Sequence, residues 1–200
     1  MKGGAAPDLR ARLAAALDVA AAPSSDFDLN AGVAVPDLDW RAAGVLAAFH
    51  EDDGRLVLTK RSSRLRHHPG QIALPGGKVD PGDADEIAAA LREAREEIGL
   101  DPAQVELIGR LPPHRTVTGF AVTPVLGIIR GPFAPIPEAG EVDEVFTLPY
   151  AHVTNPESYR TERRQWRGDW RAYLVAPMGP YYLWGATARI LHALALRMRA

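Results

Sequence analysis

The chain has 200 residues, 46% of them hydrophobic and 24% charged, which is the size and balance of one ordinary globular domain with a sizeable core. A formal net charge of −2 argues against nucleic-acid binding driven by bulk charge. There is no cysteine, so disulfides, thiolate nucleophiles and zinc–cysteine sites are excluded, and any metal must be held by oxygen or imidazole.

No apolar run is long enough to cross a bilayer, and a cytoplasmic location is expected. The first segment, PDLRARLAAALDVAAA, is interrupted by Asp8, Arg10, Arg12 and Asp18 and reads as a short amphipathic helix rather than a signal peptide. A Pro/Ser/Asp-rich connector follows. AGVLAAFH and RLVLTKR, joined by EDDG, carry a hairpin signature with Asp53-Gly54 at the turn. After the basic loop SSRLRHHPGQ comes a short strand, IALP, ending at Gly76-Gly77.

The spacing of Ile87, Leu91, Ala94 and Ile98 predicts a helix over 84–98 with one buried stripe, started by Asp83 or Asp85 and closed by Gly99. VELIGRL and FAVTPVLGII are strand-like, joined by the polar PPHRTVTG. A Pro/Gly/Glu loop leads to the strand VFTLP, a wet arginine-rich stretch to the strand WRAYLVAP, and YYLWGATARILHALALRM reads as the last helix, with Ile190, Leu194 and Met198 on one face. Mixed strands with packed helices make the class α+β. Residues 1–40 are expected to form an N-terminal helix and connector, and 41–200 the main domain.

Glu93, Glu96 and Glu97 stand three and four apart in LREAREEIGL, so they project from roughly one side of their helix, away from the Ile87/Leu91 stripe. A solvated face laced with Arg92 and Arg95 would explain them. The Gly-Gly loop just upstream offers the other explanation. Glycines let backbone pass close to a ligand, and hard divalent cations take oxygen ligands together with substrate phosphate.

GG…LREAREEIGL resembles the Nudix signature: Arg92, Glu93, Ala94, Glu96, Glu97, Gly99 and Leu100 occupy its core places. The general signature's leading glycine and upstream glutamate are displaced, their places holding Lys78 and Ala84, because the loop is one residue longer. That longer, aspartate-bearing loop is similar to the coenzyme A pyrophosphatase branch of the family. So is VLTKRSSRLRHHPGQIALPGG, where Leu58, Thr59, Arg61, Ser62, Arg66, Gly70, Pro75, Gly76 and Gly77 fall in register with that branch's upstream motif. LPPHRTVTGFAVTPVLGII and WGATA look like the branch too.

The resemblance implies a Nudix fold, with a mixed β-sheet sandwiched between α-helices and an added N-terminal helix. It implies Mg²⁺- or Mn²⁺-dependent hydrolysis of the diphosphate of coenzyme A or a derivative, giving 3′,5′-ADP and 4′-phosphopantetheine or its acyl form. Glu93, Glu96 and Glu97 would be metal ligands with the Gly77 carbonyl. Glu93 would also orient or deprotonate the water, and Arg92 would hold Glu93. Arg61, Arg66, Gly70 and Gly76 would meet the substrate. Glu141 is the first candidate for a downstream general base and Glu144 the second; a plain surface acid is the alternative for either. Asp80 and Asp83 are expected to fix the loop and cap the helix, and His67 and His68 not to bind metal.

Trp184 is expected to pack. Trp166 and Trp170 with Arg160, Arg163, Arg164, Arg167 and Arg171 suggest a hairpin near the substrate or a dimer contact rather than a nucleic-acid patch, and the Pro-rich 131–138 loop a lid edge or connector. The expected partner is a small-molecule nucleotide, with no nucleic acid or membrane and with a homodimer left open. Hydrolysis of another nucleoside diphosphate derivative, such as ADP-ribose or a dinucleotide, is the competing enzymatic reading. A domain that only binds its nucleotide is the alternative of another class, and the intact glutamate set speaks against it.

Overall fold

The first helix forms where its apolar spacing requires. α1 spans Ala6–Asp18, and Leu9, Leu13 and Ala16 are buried along one face. The computed structural model describes residues 6–30, 32–166 and 168–199. Within the connector, β1 (Ser24–Ser25) is a short strand that composition did not reveal.

β2 (Arg41–His50) and β3 (Leu56–Arg61) are joined by the expected turn, where Gly54 takes φ 68 and its N–H donates to the His50 carbonyl at 2.9 Å. Their pairing stops almost at once, at Phe49 opposite Leu56. The strands then splay, because β4 (Ile72–Ala73) pairs with β3 while β5 (Gly76–Lys78) pairs with β2.

α2 spans Glu86–Ile98, two residues shorter at its start than the periodicity predicted. β6 (Val105–Arg110) and β8 (Phe120–Ile129) are the two expected strands, and the polar segment between them contributes β7 (His114–Arg115). β9 (Val142–Leu148) begins earlier than VFTLP alone suggested and is followed by the single turn α3 (Tyr150–Val153). The wet arginine stretch is a strand, β10 (Arg160–Trp166), forming a hairpin with β11 (Asp169–Met178). Arg167 and the side chain of Trp166 lie outside the described residues. The segment read as one last helix divides: β12 (Tyr181–Trp184) is a strand, and α4 (Gly185–Arg197) begins at Gly185 with φ 64. Aromatic and β-branched content decides short apolar runs that periodicity leaves ambiguous.

The main sheet runs β1-β7-β8-β2-β3-β4, with β5 added to β2, β6 to β8 and β9 to β3; β2 and β8 are parallel along their whole length. Alternation along β2 sends Leu46 and Ala48 to α2, and Ala47 and Phe49 to the face covered by α1, α4 and the β10–β12 sheet. Burying Leu46 or Phe49 contributes roughly 1.5–3 kcal/mol each. The result is the expected α/β/α sandwich with an added N-terminal helix.

Gly44 and Gly76 set how closely the layers approach. A Cβ on Gly44 would sit 1.9 Å from the Glu86 carbonyl oxygen, and one on Gly76 (φ 153) would sit 2.3 Å from the Gly44 oxygen. That closeness rotates the buried face of α2. Ala89, Ala90, Ala94, Glu97 and Ile98 are buried, whereas Ile87 and Leu91 are only partly covered. The expectation that all three glutamates lie away from the buried stripe is corrected for Glu97.

Candidate active site

The N-terminus of α2 settles the roles of the loop aspartates. Asp85 is the cap, accepting from the Ala88 N–H at 2.9 Å. Asp83 instead accepts from the Asp80 N–H at 2.8 Å and takes Nε and Nη2 of Arg92, both at 3.0 Å. The Arg92 guanidinium holds the Asp83 carboxyl below its usual range. From that anchor Arg92 reaches Oε1 of Glu93 at 3.0 Å, Oε2 of Glu96 at 2.9 Å and the Lys78 carbonyl at 3.2 Å. The arginine is thus a hub between the loop and the helix, and the expected Arg92–Glu93 ion pair is present.

The three glutamates occupy three environments. Glu97 is 5% exposed, and its Oε2 accepts from the Gly76 N–H at 3.1 Å. Burial, with smaller contributions from Glu93 and Glu141, pushes its pKa up to about 7. The Glu93 carboxylate rests on Gly77, where a Cβ would stand 2.3 Å from Oε1; burial also raises this group, against the pull of Arg92. Glu96 is turned outward, its side chain 58% exposed.

Across from them stands Arg61, at the end of β3. Its positive charge opposes the rise at Glu97, and its Nε is buried without a hydrogen-bond partner. Its backbone closes the basic loop, through Arg61 N–H to the Gln71 carbonyl at 2.9 Å and Gly70 N–H to the Arg61 carbonyl at 3.0 Å. Arg66 is exposed on that loop, away from the carboxylates' hydrogen bonds.

The 131–141 segment straps the end of α2: Ile136 and Glu138 donate backbone bonds to Ile98 and Glu97, both at 2.9 Å. Its end is tied to β3 by Ser62 N–H donating to the Glu141 carbonyl at 2.8 Å. Glu141 is exposed, and its charge helps raise both Glu93 and Glu97. Glu144 is elsewhere. It shares a face of β9 with Phe146, opposite Val145, and its Oε1 accepts from the Tyr181 hydroxyl at 2.6 Å, on the sheet face away from α2. The spacing of Glu144 and Phe146, two apart on one strand, already carried that signal.

Buried oxygen donors with raised pKa values and incomplete compensation suit a hard divalent cation. Glu93 and Glu97 with the glycine backbone would hold it, and Glu96 is one turn away. Among the described residues no three acidic or histidine side chains already converge on a closed ligand set, and Arg92 engages both Glu93 and Glu96.

WGATA packs on the loop that bears the upstream motif. The Thr187 hydroxyl donates to the Ile72 carbonyl at 3.1 Å, and Gly185 lies against Gln71. Trp184 packs edge-on to Tyr173.

A family model described as the NUDIX domain matches residues 40–172. The chain belongs to the Nudix family. It is 43% identical over 158 residues to a protein of Enterobacter sp. (strain 638) named uncharacterized Nudix hydrolase NudL, covering 79% of this chain and 82% of that one. The protein of the same name from Escherichia coli (strain K12) is 43% identical over 162 residues, with 80% and 84% covered. Nudix hydrolase 15, mitochondrial, of Arabidopsis thaliana is 43% identical over 161 residues; the match takes in 76% of this chain but only 56% of that longer protein. Among the described residues of this Nudix chain no helix is long and apolar enough to cross a membrane.

Proposed function

We propose that the chain is a divalent-metal-dependent pyrophosphohydrolase that cleaves the diphosphate of coenzyme A or a derivative, giving 3′,5′-ADP and 4′-phosphopantetheine or its acyl form. The observation that carries this reading is the buried Glu97 on Gly76 and the half-buried Glu93 on Gly77, facing Arg61, whose Nε lacks a partner. Excess negative charge beside an unsatisfied guanidinium is a place for a cation and an anionic ligand together. The upstream motif that supplies Arg61, Gly70 and Gly76, and the WGATA segment packed against it, supports coenzyme A as the substrate.

Glu93, Glu96 and Glu97 would hold Mg²⁺ or Mn²⁺ with the Gly77 carbonyl, and the ion would supply charge neutralisation at the phosphate oxygens. Arg92, fixed by Asp83, orients Glu93. Arg61 binds the diphosphate. Glu141 accepts a proton from the attacking water as its oxygen bonds to phosphorus and the bridging P–O bond breaks, so that the second phosphate leaves as an anion. Arg66 and the backbone at Gly70 and Gly76 belong to the substrate surface. We read residues 41–200 as the hydrolase domain and 1–40 as its extension.

Purified protein is offered coenzyme A, ADP-ribose and diadenosine polyphosphates, each with Mg²⁺, Mn²⁺ or chelator, and the products are separated by chromatography. Chelator-sensitive release of 3′,5′-ADP from coenzyme A is expected. Glu96→Gln, at an exposed site, is expected to remove most of it without unfolding the chain. Turnover of another compound alone would move the substrate to that class, and full activity in Glu96→Gln would overturn the metal assignment.

A further inference from the structure

The ends of β3 and β9 carry chemistry on both faces of the sheet. Arg61 and Glu141 serve the face covered by α2. Lys60 and Glu144, directly paired across the two strands, serve the other. There they line a cavity of about 340 Å³ with Gly70, Tyr181, Tyr182 and Trp184. The Lys60 ammonium makes no hydrogen bond or ion pair among the described residues, although Glu144 shares the cavity. The Tyr181 hydroxyl holds one oxygen of Glu144 at 2.6 Å, and the Tyr181 ring is itself fixed by stacking on Phe146 at 3.7 Å. The other Glu144 oxygen is left to accept. Tyr182 is exposed beside it.

An unpaired cation, an immobilised acceptor and aromatic walls describe a ligand with a flat ring, an exocyclic amine and a separate anionic group. We propose that this cavity is the subsite for an aminopurine ring bearing a phosphate monoester on its ribose. The ring lies along Tyr182 and Trp184, its amine donates to Glu144, and the phosphate monoester meets Lys60. Lys60 precedes Arg61 in the chain, and Gly70, which lines the cavity, donates its N–H to the Arg61 carbonyl at 3.0 Å. In the proposed binding mode the nucleotide passes around this strand end, its ribose between the two faces. Resting on the proposed function, this assigns the 3′-phosphoadenosine half of coenzyme A.

The test separates the subsite from the reaction. Binding of 3′,5′-ADP and of 5′-AMP is measured by calorimetry in chelator, where no hydrolysis occurs, and turnover of coenzyme A and 3′-dephospho-coenzyme A is measured with Mg²⁺. Lys60→Met is expected to lower both preferences for the 3′-phosphate, in affinity and in kcat/KM, by about tenfold. Lys60→Arg, keeping the charge, is expected to restore most of each. Tyr182→Ala is expected to weaken both nucleotides together. If wild-type protein hydrolyses coenzyme A but Lys60→Met keeps the preferences, the subsite is wrong and the reaction stands. If 3′,5′-ADP binds with the Lys60 dependence while coenzyme A is not cleaved, the reaction is wrong and the subsite stands. Absence of any 3′,5′-ADP binding overturns the subsite outright.

Discussion

A methyl group added at Gly77 would first meet the Glu93 carboxylate, at 2.3 Å from Oε1 and 2.5 Å from Cδ. The end of a flexible side chain can move, so Gly77→Ala is expected to change stability by about 1 kcal/mol or less. Moving Glu93 from its place is expected to lower turnover on the order of 100-fold, since displacements of that size cost this much in positioned catalysis. Gly44→Ala makes the same chemical change against the backbone oxygen of Glu86, which cannot yield without shifting α2. Its expected cost is at the upper end of the about 1–3 kcal/mol typical of overpacking. Urea unfolding and a turnover assay on both variants separate a glycine that serves the site from one that serves the fold. Wild-type turnover in Gly77→Ala would end the claim that Glu93 must rest on that strand. The roles of these glycines were only half legible in the sequence. A paired glycine beside an acidic helix announces close approach, but which glycine meets a side chain and which meets a carbonyl depends on a register no local pattern contains.

At the scale of elements, α2 shows what periodicity reads and what it misses. Its existence and its glycine stop were legible because both are short-range, and the Arg92–Glu93 pair followed from the Nudix resemblance. The buried face was legible in part: Ala94 and Ile98 of the expected stripe are buried, but Ile87 and Leu91 are only partly covered, because small Ala90 and Ala94 allow the close contact that turns Glu97 inward. Two aspartates competed for the cap, and side-chain partners from farther along decide between them: Arg92 claims Asp83 and leaves Asp85 to the helix. Opposite results are therefore expected from one alanine scan. Asp85→Ala removes a cap and is expected to lower unfolding stability by about 1 kcal/mol with turnover retained. Asp83→Ala releases the hub that holds Arg92 on Glu93 and is expected to lower turnover more than stability. If the two variants exchange these effects, the cap assignment and the role of Arg92 are both wrong. The misreading of YYLW has the same physical origin as that of the α2 face: a short apolar run takes its conformation from its neighbours, and β11 supplies the neighbour.

At the scale of the whole molecule, the α+β class followed from the order of strands and helices, and the sandwich from the Nudix resemblance. The parallel pairing of β2 with β8 arises from contacts distant in sequence, whereas the three-stranded sheet is built from consecutive hairpins. That second layer also carries a pH response. His152, on α3, and His192, on α4, lie where α3 and α4 meet. Burial lowers the pKa of each, Arg189 adding to the effect at His192. The His192 ring packs on Tyr159 with centroids 5.1 Å apart, and Nε2 of His152 is buried without a partner. A histidine lowered by folding binds protons more tightly when unfolded. Its contribution is therefore fully present above the ordinary value near 6.5 and is lost as pH falls through that value toward the folded one. Glu97, pushed up to about 7, works in the opposite direction in metal-free protein, so the net slope of wild type mixes the two. A difference between variants isolates the histidine. His192→Phe keeps a ring against Tyr159 and cannot protonate, so its stability relative to wild type is expected to rise steadily as pH is lowered from 7.5 to 5.5 in chelator. Thermal unfolding of the pair across that range reads it directly. A constant difference would mean that the α3–α4 junction accepts the charged ring, and that burial there is shallower than the packing of Tyr159 requires.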